Sequence, residues 1–446
     1  MATYKEYNER LRLPEQARDE QLILSKKHFC LAYEPGKGKS YPVIHCIKVI
    51  NEMKGGNAKV LIMSDATCIR DMWKKEIVPQ HILPKETYMV TDRTAIGDIK
   101  EVILDTQWDI IVCDECQSLR SGVTRAKSQY AKLVYQLTKR TEYVIGMTGT
   151  IAGNNNIEPW CVLHNLNIAG MGNINPHAFK NKYCIKKLQY GPFGAFEKPI
   201  GLNEEGEKML NKAYEEGVSF WDYDDNDKMP ALDIHEQTFI VPKTKTYEDA
   251  LQGILQCGEY ENTIMKTVAI QKAQQALNGF VYYDETDRKT FRVPEFDNPK
   301  INFVVEKAKL GNCLIAYRFQ EDGYYIRKAL ENANIPYTEN ISVYKDETEN
   351  KGNKDIVLII QCSRGKSANL QTGAKRIIYY TCDYSFINYK QLIHRGWRRG
   401  QEDACEIWFL INEVENDKDK VERKIWQSLR NKQNIHDMLM AIKRGD

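Results

Sequence analysis

The stretch LAYEPGKGKS, from Leu31 to Ser40, has the composition of a loop that closes around phosphate groups. Its glycines let backbone N–H groups approach phosphate oxygens, while Lys39 places a cation near the β- and γ-phosphates and Ser40 can ligate Mg²⁺. The predicted nucleotide-contacting residues of the loop are Gly36, Lys37, Gly38, Lys39 and Ser40. The loop therefore predicts that the chain binds ATP together with Mg²⁺.

A second stretch, WDIIVCDECQ from Trp108 to Gln117, reads as a buried strand that ends in two acids. Asp114 at the end of such a strand can hold Mg²⁺, and Glu115 can orient and deprotonate the attacking water. The apolar run from Lys59 to Met63 reads as another strand, between the loop and the acids. This spacing is typical of the βα units of a parallel sheet, so the two motifs together predict an ATP-hydrolysing α/β domain.

A third stretch, QLIHRGWRRGQ from Gln391 to Gln401, lies far downstream and carries Arg395 and Arg398 three residues apart. Hydrolysis of ATP coupled to motion generally needs arginines that stabilise the charge of the transition state, and these can come from another lobe. The loop and the arginines together suggest an ATPase with a split site, which their distance in sequence permits. Trp397 either stacks on a base or packs between helices, and we favour packing.

Composition and charge permit this interpretation without adding to it. The chain has 446 residues, 42% hydrophobic and 28% charged, which is enough apolar material for two or three packed domains. The formal net charge of +2 does not predict a nucleic-acid binder, so any basic surface must be local. No apolar run is long enough to cross a bilayer, and the first residues lack the apolar core of a signal peptide. We expect a cytoplasmic protein without a membrane partner, located in the host cytoplasm if it is viral.

The cysteines predict reduced thiols in the core. Most of the 12 stand alone in apolar segments, which argues against a disulfide framework. Cys113 and Cys116 form a C-x-x-C, but no second Cys/His pair with zinc-ligand spacing accompanies them. The acidic run from Trp221 to Asp227 lacks the spacing of a Ca²⁺ loop and predicts a solvated loop. We therefore predict neither a metal site nor a redox role for these two segments.

In their order along the chain, the three motifs resemble those of helicase superfamily 2, and within it the Swi/Snf-like DNA translocases. The further segments that carry the resemblance are VLIMSDATCIRDMWKKEI (Val60 to Ile77), YVIGMTGT (Tyr143 to Thr150), NCLIAY (Asn312 to Tyr317) and SRGKSANLQ (Ser363 to Gln371). Cys116 and Gln117 replace the Ala and His of the family's usual Asp-Glu-Ala-His motif, and His394 and Trp397 replace an Asp and a His in its arginine motif. Nearly the whole chain takes part in the resemblance.

The resemblance implies an α/β fold of two RecA-like lobes with parallel sheets, an ATP site in the cleft between them, and helical insertions. The implied catalytic residues are Lys39, Asp114, Glu115, Gln117, Arg395 and Arg398, with Mg²⁺ at Ser40 and Asp114. Gln16 and Gln391 join the nucleotide-binding residues. Gln16 is placed to contact adenine, although LPEQARDEQL around it also reads as an ordinary amphipathic helix. The implied DNA-binding residues are Thr67, Arg70, Thr148, Thr150, Arg364, Lys366 and Asn369.

The positions of the motifs predict four segments. Residues 1–170 form the first lobe, and residues 171–228 form an insertion or bridge that contains a charged helix from Glu204 to Gly217. Residues 229–412 form the second lobe, which opens with a strand from Asp233 to Val241 and is interrupted by a helical and hairpin excursion over residues 243–293. Residues 413–446 form a helical tail that packs on the lobes.

The expected function is ATP-dependent movement along double-stranded DNA by a monomeric, DNA-dependent ATPase. Two alternatives stay open: an ATP-regulated nucleic-acid clamp without motor activity, and a strand-separating helicase that acts on single strands or RNA. A replication, recombination or nuclease protein is the kind of protein partner we expect. The small size and the lack of appended domains resemble a phage or mobile-element member of the family.

Overall fold

The computed structural model describes most of the chain. It describes residues 13–65, 73, 88–92, 96–124, 126–151, 155–191, 194–223, 229–257, 260–283, 289–364, 370, 373–397 and 403–444, without the side chains of residues 88, 96, 190, 191, 260, 266, 267, 364 and 433–444. The chain divides into two compact units, one of Met1–Asp224 with His436–Asp446 and one of Asp225–Ile435. Each unit is built around its own parallel sheet.

The first unit alternates strands and helices. In chain order, its elements are α1 (Pro14–Lys26), β1 (His28–Tyr33), α2 (Ser40–Met53), β2 (Val60–Ser64), β3 (Tyr88–Asp92), α3 (Ile96–Asp105), β4 (Ile110–Cys113), α4 (Gln129–Thr138), β5 (Tyr143–Thr148), α5 (Glu158–Asn165), α6 (Pro176–Tyr183), β6 (Cys184–Gly191), β7 (Gly194–Leu202), α7 (Glu204–Gly217) and β8 (Val218–Trp221).

The first sheet has six strands among the described residues, in the order β3–β2–β4–β5–β1–β8, and all neighbours pair in parallel. Side chains of β1 alternate between two cores, with Cys30 and Ala32 in one and Leu31 and Tyr33 in the other. Because both faces are buried, strands such as β2 and β5 read as continuous apolar runs. Parallel strands end at one edge of the sheet, so the turns after β1, β4 and β5 meet there.

The second unit repeats this alternation. In chain order, the elements from residue 225 onward are β9 (Leu232–Val241), α8 (Lys245–Gln252), β10 (Ile254–Cys257), β11 (Tyr260–Thr263), α9 (Lys266–Ala276), β12 (Phe280–Tyr283), β13 (Lys289–Arg292), α10 (Lys300–Ala308), β14 (Cys313–Tyr317), α11 (Gln320–Asn332), β15 (Tyr337–Thr338), α12 (Ile341–Lys345), β16 (Val357–Gln361), β17 (Arg376–Tyr379), α13 (Phe386–Gly396), β18 (Cys405–Val414) and α14 (Val421–Arg444). In the part of the chain that the structure describes, none of the helices combines the length and the apolar character needed to span a membrane.

The second sheet also has six described strands that pair in parallel, in the order β15–β16–β14–β17–β18–β9. The predicted α/β fold with two RecA-like lobes is confirmed by these two sheets. The strand predicted from Asp233 to Val241 is confirmed as β9, and the hairpin predicted within residues 243–293 is confirmed as the antiparallel pair β12–β13. A second antiparallel pair, β10–β11, lies with α8 and α9 between β9 and β12 in the chain.

The segment predicted as an insertion or bridge contributes to the first sheet. It contains the predicted charged helix, now α7, and the antiparallel pair β6–β7. It ends in β8, which pairs in parallel with β1 from Cys30 opposite Val218 to Tyr33 opposite Trp221. The residues after Trp221 therefore lie beside the turn that follows β1.

Candidate nucleotide site

The predicted phosphate loop is the turn between β1 and α2. Gly36 and Gly38 have φ angles of 89° and 72°, in the left-handed region that glycine enters without a steric penalty. A Cβ on Gly38 would lie 2.9 Å from Gln16 Nε2 and 2.9 Å from Tyr41 Cδ2. Ser40 is the first residue of α2, whose N-terminus favours negative charge. The loop thus has the glycine-dependent backbone and the helix start that a phosphate cradle needs.

Gln16 supports this loop from α1. Its side chain is 1% exposed, and its Nε2 donates to the carbonyl oxygens of Lys37 and Gly38, each at 3.4 Å. Its Oε1 accepts from the backbone N of Leu13 at 3.2 Å. The structure therefore shows Gln16 bracing the phosphate loop, and its contact with adenine stays a prediction.

Two aromatic residues, Trp221 at the end of β8 and Tyr223 after it, also hold the loop, and the sequence did not reveal them. Lys37 Nζ lies 4.6 Å from the ring centroid of Trp221, and the hydroxyl of Tyr223 donates to Pro35 O. The backbone N of Glu34 donates to Trp221 O at 2.8 Å. The prediction of a solvated loop from Trp221 onward was therefore wrong for these two aromatics, because the pairing of β8 with β1 brings them to the loop. Only the alternation of aromatic and acidic residues in this run could have signalled it.

The acid pair follows β4. Asp114 is 4% exposed, and its Oδ2 accepts from Trp73 Nε1 at 3.1 Å and from Ser64 Oγ at 3.3 Å. Burial, followed by the charge of Glu115, raises the pKa of Asp114 above its usual range, while the charge of Lys39 acts in the opposite direction. Its Oδ1 accepts from the backbone N of Glu115 at 2.9 Å, so donors fix both oxygens of the carboxylate, and a divalent cation bound there would favour its charged form.

Gln117 links the acid pair to the Thr-Gly-Thr turn after β5. Its Nε2 donates to Glu115 Oε2, and its Oε1 accepts from Thr148 Oγ1 at 2.6 Å. Thr148 Oγ1 in turn accepts from the backbone N of Thr150 at 2.9 Å. Glu115 itself has a φ of 51°, an uncommon conformation for a residue with a side chain, and such strain concentrates at functional sites. The carboxylate of Glu115 is therefore held by a hydrogen-bonded chain that reaches the turn.

The phosphate loop, the acid pair and the turn meet at one edge of the first sheet. A Cβ on Gly149 would lie 3.4 Å from Pro35 Cγ, so the turn touches the loop. Lys39 Nζ donates to Tyr33 O at 3.0 Å, at the end of β1, and its charge lowers the pKa of Asp114. The structure thus brings together the predicted residues of the first lobe: Gln16, Gly36, Lys37, Gly38, Lys39, Ser40, Asp114, Glu115, Gln117, Thr148 and Thr150.

In the second unit, α13 carries Arg395 and Gln391. Gln391 is 9% exposed, and the carbonyl oxygen of Arg395 accepts from the backbone N of Leu370 at 3.1 Å. Trp397, just after the helix, packs against the core of this unit, and its Nε1 donates to Pro230 O at 2.8 Å. The structure supports the packing interpretation of Trp397.

Other predicted residues have no described surroundings. Thr67, Arg70, Lys366, Asn369 and Arg398 lie outside the described residues, as does the side chain of Arg364. Thr148 and Thr150 are described, and they are 0% and 3% exposed. The contacts of all these residues with DNA, and of Arg398 with a nucleotide, stay predictions.

The described cysteines are free, and all but Cys382 are buried. Cys116 Sγ lies 3.9 Å from Cys30 Sγ inside the first core, and burial raises the pKa of the Cys113 thiol to about 12. Among the described residues, no group of three or more His, Cys, Asp or Glu side chains is arranged to hold a metal ion by itself.

No family model matches the chain, and neither does any curated protein. Among solved structures, the chain is similar to the Sulfolobus solfataricus SWI2/SNF2 ATPase core in complex with double-stranded DNA, with 18% identity and a TM-score of 0.39. The likeness covers 90% of this chain and 87% of that one. The fold assignment rests on the two parallel sheets, and the site rests on the contacts described above.

Proposed function

We propose that this protein is a DNA-dependent ATPase, a translocase or helicase that hydrolyses ATP to move along duplex DNA. The observation that carries the proposal is the hydrogen-bonded chain from Glu115 through Gln117 to Thr148, at the edge where the phosphate loop also lies. A loop and an acid pair alone occur in many ATP hydrolases. A rigid link from the acid that activates water to a neighbouring turn is what a motor needs, because it lets the nucleotide state change a second contact surface.

The residues of the first unit fit ATP with Mg²⁺. A side chain at position 38 would clash with Gln16 and Tyr41, so the loop needs the glycine that a phosphate-binding turn has there. The hydroxyl of Ser40 and the carboxylate of Asp114 are the oxygen ligands that Mg²⁺ prefers. When bound, Mg²⁺ would supply positive charge against the phosphate oxygens.

The other residues take distinct roles in this proposal. Glu115 orients the attacking water and accepts its proton, and Gln117 positions Glu115. Lys39 neutralises charge on the β- and γ-phosphates. Arg395 and Arg398, from the second unit, stabilise the charge that develops on the γ-phosphate during transfer.

We propose that DNA is held mainly through its phosphates, by turns that follow the strands of both units. The residues assigned to it are Thr67, Arg70, Arg364, Lys366 and Asn369, together with the turn from Thr148 to Thr150, whose two threonines are buried beneath it. Contacts of this kind carry little sequence information, so binding should be largely non-specific and should weaken as salt rises.

The test is steady-state ATP hydrolysis at one low salt concentration, without nucleic acid and with single-stranded DNA, duplex DNA or duplex RNA. Strong stimulation by duplex DNA, abolished in Lys39→Ala, is the expected result. Stimulation mainly by single strands or RNA would instead identify a strand-separating helicase.

Absence of any stimulation would overturn the motor and favour an ATP-regulated clamp. Glu115→Gln separates these two functions further, because it should keep ATP and DNA binding while stopping turnover in a motor. A clamp would keep its biological activity in the same variant.

A further inference from the structure

The antiparallel pair β6–β7 forms a two-stranded ribbon that belongs to neither large sheet. Strands of eight and nine residues make it roughly 25 Å long. Its base is fixed in the first core by Cys184 and Leu202, which are 7% and 3% exposed. Four of its large apolar side chains are about half exposed: Ile185, Leu188, Phe196 and Ile200, at 50%, 54%, 49% and 50%. Leu188 and Phe196 belong to adjacent cross-strand pairs and so lie on opposite faces, which means that the ribbon exposes apolar side chains on both faces.

The ribbon is also basic. From Cys184 to Leu202 the chain has three lysines, Lys186, Lys187 and Lys198, and one acid, Glu197. Glu197 pairs with Lys186, whose Nζ lies 3.0 Å from its Oε2. The remaining positive charge has no counterpart on the ribbon itself.

Two of these lysines face each other. Lys187 lies directly opposite Lys198 in the register of the two strands, so both side chains are on the same face and both are exposed. No ion pair joins either of them to an acid of the described residues. Like charges directly opposite each other on a ribbon are destabilising. An anion bound from outside the chain would relieve this repulsion between Lys187 and Lys198.

An aromatic ring lies next to this pair. The following cross-strand pair on the same face is Gln189 opposite Phe196, because side chains alternate between faces along each strand. A face with two cations and an exposed ring matches the two parts of a nucleotide, since phosphate binds the cations and a base stacks on the ring. A ribbon of two strands also has the width that the major groove of B-DNA accepts.

We infer that the β6–β7 ribbon is a second nucleic-acid contact surface, on which Lys187 and Lys198 bind phosphates and Phe196 stacks on an unpaired base beside a duplex. The inference rests on the proposed function, because it takes the ligand to be the DNA on which the motor acts. The ribbon thereby holds DNA at a site separate from the turns after the parallel strands.

The experiment compares the equilibrium binding of a fluorescent DNA duplex with a single-stranded overhang, across a series of salt concentrations. The test variant is Lys187→Gln with Lys198→Gln. The control variant is Lys208→Gln with Lys212→Gln on α7, which removes the same charge from side chains 73% and 74% exposed in the same unit.

The association constant K decreases as salt rises, so the slope of log K against log salt concentration is negative. In the ribbon variant the magnitude of this slope should decrease by about 1.4 to 1.8, because each lost phosphate contact reduces it by about 0.7 to 0.9. The control should keep the wild-type slope. Phe196→Ala should weaken binding of the overhang substrate by about tenfold, whereas Phe196→Tyr should keep the affinity, because it keeps a ring for stacking.

DNA-independent ATP hydrolysis should be unchanged in every ribbon variant, which shows that the first unit is folded. A ribbon variant with the slope and affinity of the control overturns the inference, even if duplex DNA stimulates hydrolysis in the wild type. Ribbon-dependent DNA binding without any DNA-stimulated hydrolysis overturns the motor and keeps the ribbon. A wild-type protein that binds no DNA overturns both.

Discussion

At the scale of single residues, the chemistry of the site depends on how Glu115 is held. A glutamate that activates water must keep one orientation, since a misplacement of about 1 Å can lower a rate by about a hundredfold. The backbone of Glu115 is in the left-handed region, and its carboxylate accepts from the amide of Gln117. The amide is itself fixed by the hydroxyl of Thr148 at 2.6 Å. Gln117 is therefore a positioning residue whose effect should appear in turnover and not in binding.

We predict that Gln117→Ala lowers kcat for ATP hydrolysis by about ten- to a hundredfold and leaves KM and nucleotide affinity nearly unchanged. The physical reason is that Glu115 loses its donor while the phosphate loop keeps all of its contacts. Steady-state kinetics together with nucleotide titration would measure the two effects separately.

The control for this prediction is Gln107→Ala. Gln107 lies in the same unit, and its Nε2 donates to Arg140 O at 2.9 Å, an exposed contact away from the acids. A parallel loss of affinity and kcat in Gln117→Ala would contradict the positioning role and would indicate a general disturbance of the first unit.

At the scale of elements, the start of α11 shows how a buried acid joins a helix to a strand. Asp322 accepts from the backbone N of Phe319 at 3.2 Å, which caps the helix, and from Thr381 Oγ1 at 2.7 Å, just after β17. The residue is 0% exposed, and burial raises the pKa of its carboxyl to about 7. Neither contact supplies a full opposite charge, so the neutral form is favoured inside the second unit.

This raised pKa gives a pH dependence with a definite sign. The unfolded chain releases the proton of Asp322 near pH 4, whereas the folded chain keeps it up to a pH of about 7. The stability that this proton contributes is complete below the unfolded pKa and is lost as the pH rises through about 7. From pH 6 to pH 8, the loss amounts to about 1 kcal/mol.

We predict that Asp322→Asn, which keeps an acceptor for the helix cap, removes this loss. The variant should gain stability over the wild type between pH 6 and pH 8, measured by urea unfolding at both values. Asp355→Asn, which removes an exposed carboxylate from the same unit, should change stability equally at the two pH values. A difference between wild type and Asp322→Asn that does not grow with pH would contradict the assignment.

Elements with long apolar runs could be predicted from the sequence, and elements that depend on distant pairing could not. The runs that form β2, β4, β5 and β14 can be recognised in the sequence, because a strand buried on both faces is apolar along most of its length. Val218–Trp221 has only four residues, and it becomes a strand through its parallel pairing with β1. The link between Gln117 and Thr148 also depends on which strands are neighbours, so their residue types alone do not disclose it.

At the scale of the whole molecule, the chain forms two units that each contain a parallel sheet of the same kind but carry different predicted site residues. The phosphate loop and both acids belong to the first unit, whereas Arg395 belongs to the second. The sequence predicted this division because each motif consists of the residue types that its chemistry demands. It did not predict the β6–β7 ribbon, because the opposition of Lys187 and Lys198 exists only in the register of the folded strands.

Arg395 is the residue at which a contribution of the second unit to hydrolysis can be measured. Arg395→Ala should keep nucleotide binding, because the residues around the loop lie in the first unit, while DNA-stimulated kcat falls by about a thousandfold through loss of charge stabilisation. Arg327→Ala is the control. Arg327 lies on α11 in the same unit and forms an ion pair with Glu339, so its substitution should leave kcat unchanged. Nucleotide titration and stimulated hydrolysis measure the two properties. If Arg395→Ala hydrolysed ATP at the wild-type rate, hydrolysis would not need Arg395 of the second unit. The hydrolysis step could then not drive a conformational change of the second unit through this residue.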